Sequence, residues 1–412
     1  MISFNKFVTE EKNVHMAHLE DLVLDGGVEG VRQAINALQS LRDMLAGNSK
    51  SKTNVTVKWD GAPAVFAGTD PTDGKFFVAK KGIFNKSPKV YKSHKDIEAD
   101  TSGDLTNKLK VAFDELSKVN IKGVIQGDIM FTKPDLKSET VDGVKYWVFH
   151  PNTIAYAIEA NSDEGKKVRA AKIGIVFHTV YTGNSFENMS ASYGFDISTL
   201  KHGNSLWAVS ANLQDMSGTA TMTNSETGLV TAQLSRVGQL FKSVPASFFD
   251  EISNDKGFNI SVNTFNNTFF RNKASQPAPA KKVNDLINFI KAKYQKEMDK
   301  RSTDAGKKKQ KEELDQILSI LGGTGKNNMA NVFEMQQLLS DAKLIIINKL
   351  DTLNMTKTFV KTSNGYKVTK AEGFVAIDTI AGGAVKLVDR LEFSTNNFDP
   401  GVIKGWQSSN RR

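Results

Sequence analysis

The sequence predicts an α+β chain. Three features carry the prediction: short alternating or β-rich runs bounded by Asp-Gly, Gly and Pro before residue 203, long stretches with apolar residues spaced three and four apart, and a return to short strands from Thr369. The expected organisation is residues 1–203, a mainly helical insertion or second domain over 204–368, and a final part over 369–412 that rejoins the first.

Composition bounds the rest. A chain of 412 residues has room for roughly two to three domains. With 39% hydrophobic and 24% charged residues and a mean hydropathy of -0.34, it has the profile of a soluble globular protein. No apolar run is long enough to cross a bilayer, and Met1 to Lys6 leads into charged sequence without a signal-peptide core. A cytoplasmic location without membrane contact is expected. Having no cysteine excludes disulfides, thiolate metal sites and a cysteine nucleophile. A formal charge of +9 and a pI near 9.3 favour an anionic partner, with the positive charge richest between Lys281 and Lys311.

Taken in order, His15, His18, Glu20 and Asp21 come first. They could ligate a metal, although histidines three apart without further ligands more often serve surface or capping chemistry. Residues 28–45 are helical, because Val31, Ile35, Leu38, Leu41 and Leu45 form one apolar stripe. Ala46-Gly47-Asn48 ends the helix. The stretch from Val55 to Ala67 reads as a strand carrying Lys58, a turn at Asp60-Gly61 and a second apolar strand. The plain alternative is a hairpin with Lys58 on its solvated face. A lysine held at a strand end is otherwise a candidate nucleophile toward a phosphoryl or carbonyl centre, provided burial or nearby cations lower its pKa.

Asp70-Pro71-Thr72-Asp73-Gly74 is a turn, and Lys75 to Ala79 is a strand ending at Lys80-Lys81. The lysines either protect a sheet edge or, if this strand pairs with the Lys58 strand, reach the same site. Residues 105–116 form a helix through Leu105, Leu109, Ala112, Phe113 and Leu116. Residues 123–131 form a buried strand broken by Gly127-Asp128, where a carboxylate among apolar neighbours needs a partner or a task. Tyr146 to His150 and Lys172 to Gly183 are further strands. The latter carries Phe177, which is either core or a stacking platform.

Beyond residue 204 come a polar Ser/Thr/Asn-rich part, an aromatic-rich part over 248–270, and an exposed linker over 272–280. Helices are predicted over 283–298, 312–321 and 332–350, with 299–311 as a charged turn. Gly322-Gly323-Thr324-Gly325-Lys326-Asn327 hints at a phosphate loop, but its spacing fails G-x-x-x-x-G-K-[ST] and no strand precedes it. Helix termination is the better reading. Two closing strands, one after Glu372 and one carrying Lys386, would form a hairpin through residues 378–383.

Lys58-Trp59-Asp60-Gly61 resembles the K-x-D-G nucleotidyl-lysine motif of the ATP-dependent DNA and RNA ligase and mRNA-capping-enzyme superfamily. Four further segments are similar to that family's motifs in the right order: Lys80-Lys81-Gly82, Gln126-Gly127-Asp128, the strand bearing Phe177, where His178 departs from the family's usual acid, and Glu372-Gly373-Phe374-Val375 followed by Lys386. The style of His15 to Glu20 also resembles bacteriophage sequence, so the cytoplasm would be that of a host. The resemblance implies an adenylation domain of antiparallel sheets with helices, using ATP and Mg²⁺ or Mn²⁺ and acting on RNA or DNA ends through a lysyl-AMP intermediate. It implies Lys58 as nucleophile, Asp60 and Lys386 as catalytic partners with Lys386 on the α-phosphate, Glu372 on the metal, and Asp128 on the ribose or the metal. Gly61, Lys80, Lys81 and Phe177 would hold the nucleotide, with Phe177 stacked on the base. Three positions depart from the pattern, Pro63, Ile377 and Val388, and they bear more on sealing than on lysine nucleotidylation. Only 22 residues follow Arg390, too few for a C-terminal OB domain. Two other readings stay open: a ligase-like module that only binds nucleic acid or a protein partner, and a nucleotidyltransferase with another acceptor.

Overall fold

The computed structural model describes residues 18–47, 53–141, 143–193, 195–211, 222–351, 357–363, 365–370, 372–378 and 384–405. His15, the end of the first helix cap at Asn48, part of the polar stretch after 204, and the connection 379–383 lie outside them.

From the N-terminus, α1 (Leu22–Asp25) and α2 (Gly27–Leu45) lead into β1 (Thr53–Lys58). Next come β2 (Ala64–Thr69), β3 (Phe76–Ala79), α3 (His94–Asp100), α4 (Gly103–Leu116) and β4 (Val124–Thr132). A meander of β5 (Lys137–Val141), β6 (Val144–Phe149) and β7 (Ile154–Glu159) precedes α5 (Asp163–Ala170) and β8 (Ile173–Thr182). Two short strands, β9 (Ser190–Tyr193) and β10 (Leu206–Ser210), close the first half. Six helices follow: α6 (Asn224–Ser243), α7 (Ala246–Asn254), α8 (Lys256–Arg271), α9 (Pro279–Asp299), α10 (Asp304–Ile320) and α11 (Gly325–Asp351). The chain returns through β11 (Lys357–Thr362), β12 (Gly365–Val368), β13 (Gly373–Asp378), β14 (Ala384–Leu387), α12 (Arg390–Phe398) and β15 (Val402–Ile403). The α+β class holds.

These strands make three sheets among the described residues. The central one has the order β10-β8-β4-β2-β3 with β9 on β8, antiparallel apart from the β8–β10 pair. Another runs β12-β11-β7-β6-β5, with β15 on β11. The smallest is β1-β13-β14, in which Lys58 lies opposite Gly373 and Val375 opposite Lys386.

Side-chain alternation explains how the sheets stack. One face of the central sheet, with Ile125, Ile129, Ile175 and Phe177, packs under α3 and α4 through Ile97, Leu109 and Leu116. At one end of the opposite face, Met130, Phe131, Val176 and Trp207 meet Phe149, Tyr156 and Ile158 of the second sheet. At the other end, Val124, Phe66 and Tyr181 cluster with Phe186. Gln126 and Asp128 share that face of β4 and fall between the two apolar patches, so a polar strip lies in the middle. The smallest sheet buries Val55, Phe374, Ala376, Val385 and Leu387 against the helices, which leaves Lys58 and Lys386 on its other face.

Several expectations need correction. The two strands around Asp60-Gly61 are not a hairpin: β1 joins the smallest sheet and β2 the central one, and residues 59–63 carry the chain between them. The strand ending at Lys80 therefore pairs with β2, not with the Lys58 strand. The aromatic part over 248–270 is helical, with Asp255 capping α8 by accepting from Phe258 N at 2.8 Å. The charged residues 304–311 belong to α10, whose N-cap Thr303 accepts from Gly306 N. The described helices over 224–351 share one apolar core with α2 and the smallest sheet, while β10, β11 and β12 belong to the other two sheets. Gly322–Gly323 is the turn between α10 and α11, as the helix-termination reading expects, with Gly323 at φ 51°.

Candidate functional site

Lys58 ends β1, and its ammonium forms an ion pair with Oε1 of Glu372, the residue just before β13. The Glu372 side chain is 7% exposed and that of Lys58 26%, so the pair opens to solvent on the lysine side. Glu372 can stand there because Gly373 takes φ 143°: a Cβ on it would lie 2.5 Å from Leu387 O. A side chain at 373 would push β13 off β14 and move the carboxylate from the lysine.

Asp60 has a different task from the one its motif implies. Its Oδ1 accepts from Asn152 Nδ2 at 2.8 Å, and its Oδ2 accepts from Thr153 N and Ile154 N at 2.6 and 2.9 Å. Its own N–H donates to Tyr156 Oη at 2.7 Å. These bonds pin the segment after Lys58 to the start of β7, while Trp59 packs against Tyr156 with ring centroids 4.9 Å apart. Ala62 N donates to Ile129 O, and Ile129 N donates to Pro63 O, so the next residues run along β4. Gly61 is required by that closeness, since a Cβ there would fall 2.5 Å from Asp128 Cβ.

Asp128 and His178 face the lysine from the central sheet. The β4–β8 register shifts between Gln126 and Gly127, which pair with Thr179 and Phe177, leaving His178 as the extra residue of a β-bulge. The bulge places His178 Nε2 3.7 Å from Asp128 Oδ2, and its Nδ1 sits 2.7 Å from Thr179 Oγ1. Phe177 points the other way. It is fully buried beside Phe195, with centroids 5.7 Å apart, under the helix-covered face. The expected base-stacking role for Phe177 is therefore not supported by its placement: the alternation of β8 sends it to the core.

The lysines divide as well. Lys386 lies on the Lys58 side of the smallest sheet, and His18 forms a parallel bridge to it from outside. Lys81 is a charged neighbour of both Asp128 and Lys386. Lys80 turns aside to Asp100, 3.2 Å away, and to the ring of Tyr91. The structure thus brings together Lys58, Asp128, Glu372, Lys386 and Lys81, with Asp60 and Gly61 as their support, and leaves out Phe177 and Lys80. His18, Glu20 and Asp21 do not form a metal set. Glu20 pairs with Lys343 at 2.8 Å, and Asp21 accepts two bonds from Arg390 at 2.8 and 2.9 Å.

Electrostatics follow from burial and these neighbours. Burial drives Glu372 up to about 7 even though Lys58 pulls it down. Burial also raises Asp128 and lowers His178. For Lys58, burial works downward, but Glu372, Asp60 and Asp128 outweigh it and hold the pKa above the ordinary lysine value. The expectation of a partly neutral lysine is thus reversed for this arrangement, in which three carboxylates surround one ammonium. Lys386 is lowered, first by burial and then by Lys58.

A narrow crevice behind the pair is lined by Asp60, Glu372, Lys370, Glu392, Phe393 and Asn396, and its free interior of about 10 Å³ suits a water molecule. Glu372 Oε2 is buried and accepts no hydrogen bond from the described residues. No group of three or more His, Asp or Glu that could hold a metal is gathered among the described residues. Two carboxylates, Asp128 and Glu372, still suit an ion such as Mg²⁺ that keeps several waters and shares its coordination with substrate phosphates. The orphaned Oε2 is the oxygen best placed to take such a contact.

Sequence reasoning named His178 only as a departure from the family's acid, and it did not find Asn152, Thr153 or Tyr156. A bulge and a contact across 92 residues leave no local signal. No helix among the described residues is long and apolar enough to cross a membrane. No curated protein and no solved structure matches the chain. Residues 13–401 match the model of a family of unknown function, DUF6267, and the chain belongs to that family.

Proposed function

We propose that this protein is an ATP-dependent nucleotidyltransferase that charges Lys58 with AMP and seals RNA or DNA ends. One observation carries the reading: Lys58 and Lys386 lie on the two outer strands of one small sheet, with Glu372 just ahead of its middle strand, facing Asp128 and His178 of another sheet. That is the residue set a lysine-to-phosphorus transfer needs. A nucleophilic amine stands beside a proton acceptor, with cations for the non-bridging oxygens and carboxylates for a metal.

In the first step Lys58 Nζ attacks the α-phosphorus of ATP. The N–P bond forms, the bond to the bridging oxygen breaks, and pyrophosphate leaves in line. The proton on Lys58 must go before attack, and Glu372, in contact with it and raised to about 7, is the acceptor at hand. Lys386 and Lys81 bind the phosphate oxygens. A divalent ion held by Asp128 and Glu372 would neutralise developing charge. A 5′-phosphate then displaces lysine, and a 3′-hydroxyl displaces AMP to close the strand. Pro63, Ile377 and Val388 stand where ligases often carry basic residues, so the sealing step loses phosphate contacts that lysine nucleotidylation needs less.

The test is to incubate the protein with α-labelled ATP or GTP and Mg²⁺ or Mn²⁺, then to supply nicked duplexes or 5′-phosphorylated single-stranded RNA. Label on the protein that chases onto a nucleic-acid end supports the full reading. Label that never leaves the protein rules out sealing of these ends and keeps only the nucleotidyltransferase.

A further inference from the structure

Residues 281–311 carry eleven Lys and Arg against four Asp and Glu, which is seven of the nine net positive charges of the whole chain. They span α9, the short turn 300–303 and the first half of α10, a helical hairpin. Some of these charges are taken: Lys281 pairs with Asp285, Lys300 with Glu297, and Lys311 with Asp315. Lys282 is buried over the ring of Phe333, and Lys293 bonds Ser261. Lys291, Lys296, Arg301, Lys307 and Lys309 are exposed and make no ion pair with the described residues.

The hairpin also starts beside the segment that follows the Lys386 strand. Lys282, in the first turn of α9, shares a small polar cavity with Asp21 and Arg390, and Arg390 follows Lys386 by four residues. Along the 21-residue helix α9, the free Lys291 and Lys296 lie roughly 14 and 21 Å from Lys282. Cations repeated along a helical hairpin can neutralise successive phosphates of a nucleic-acid backbone. Stable seating on a lipid surface adds exposed apolar side chains to the basic ones, and none of the exposed large hydrophobic residues falls in 281–311.

We propose that the α9–α10 hairpin is a docking arm for the backbone of a nucleic acid, through Lys291, Lys296, Arg301, Lys307 and Lys309. The choice of a nucleic acid over another polyanion rests on the ligase reading of the Lys58 site. The arm reads charge and carries no sequence preference.

The test compares the full chain with a variant in which those five residues are changed to Ala. Binding of a fluorescent 20-base-pair duplex and a 20-nucleotide single-stranded RNA is followed by anisotropy between 50 and 200 mM salt, with phosphatidylserine vesicles alongside. The variant is expected to bind at least about tenfold more weakly, with a salt slope on the duplex shallower by about 0.9 for each phosphate that the arm no longer neutralises. Equal affinity and slope in the two proteins overturns the proposal, as does a weakening confined to the vesicles. Labelling of Lys58 by ATP should be unchanged in the variant. A wild-type protein that binds through the arm without labelling would refute the ligase reading and leave the arm standing, whereas labelling without arm-dependent binding does the reverse.

Discussion

Replacing Glu372 by Gln removes the carboxylate from the Lys58 pair with almost no change in shape. The expected effect lies in the pH dependence of stability. Glu372 moves from 4.5 to about 7 because it is buried. A carboxyl raised in this way binds its proton more tightly folded than unfolded, so the stability it contributes is complete below pH 4.5 and is lost as pH rises through 7. At about 1.4 kcal/mol per unit, the loss over that window is about 3 kcal/mol. Lys58 is raised as well, so its contribution persists up to the ordinary lysine range and stays constant across the window. Other titrating groups are common to both proteins and largely cancel in the difference. Urea unfolding would be followed by the fluorescence of Trp59 and Trp207, which pack near the site. Between about pH 4.5 and pH 8 the wild type should lose about 3 kcal/mol relative to Glu372→Gln. Parallel stability curves for the two proteins would refute the buried, proton-holding Glu372 and its role as proton acceptor.

Other outcomes follow from single contacts. Lys58→Ala should abolish labelling by ATP while circular dichroism and the unfolding transition stay native-like; a labelled variant would remove Lys58 as nucleophile. Phe177→Leu should keep labelling and the KM for ATP within about twofold while lowering stability by about 1 kcal/mol, as a core substitution does, whereas a stacking residue would raise KM strongly. Gly373→Ala should cost about 1–3 kcal/mol through backbone strain and weaken labelling with it, read by thermal unfolding alongside the label assay. Asp60→Ala leaves Thr153 N and Ile154 N without their acceptor, at about 1–3 kcal/mol each, and unfolding measurements should register the loss even without ATP.

Much of this was legible where the physics is local. The stripe from Val31 to Leu45 is a helix because its apolar residues repeat at the helical period, and its face is buried. Glu372-Gly373 and Lys386 lie on a paired hairpin because the strands are short and sequentially adjacent. What escaped is non-local. Asp-Gly after Lys58 signals a hairpin, yet β1 finds its partner in β13, more than 300 residues later, because only there can Val55 join the helical core. Alternation sends either Phe177 or His178 to the site, and the bulge at His178 settles which. The helices α6 and α8 were missed although each carries a cap signal, Thr223 with Glu226 and Asp255. Their Ser, Thr and Asn content masks the period.

The central claim is that Lys58 becomes covalently nucleotidylated, and the most direct measurement is intact mass followed by peptide mapping after incubation with ATP and Mg²⁺. The account predicts the added mass of one AMP on the peptide containing Lys58, removed by acid, stable to base and reversed by pyrophosphate. An unmodified Lys58 in a folded protein that did not already carry the adduct, with ATP and GTP both tried, would contradict it.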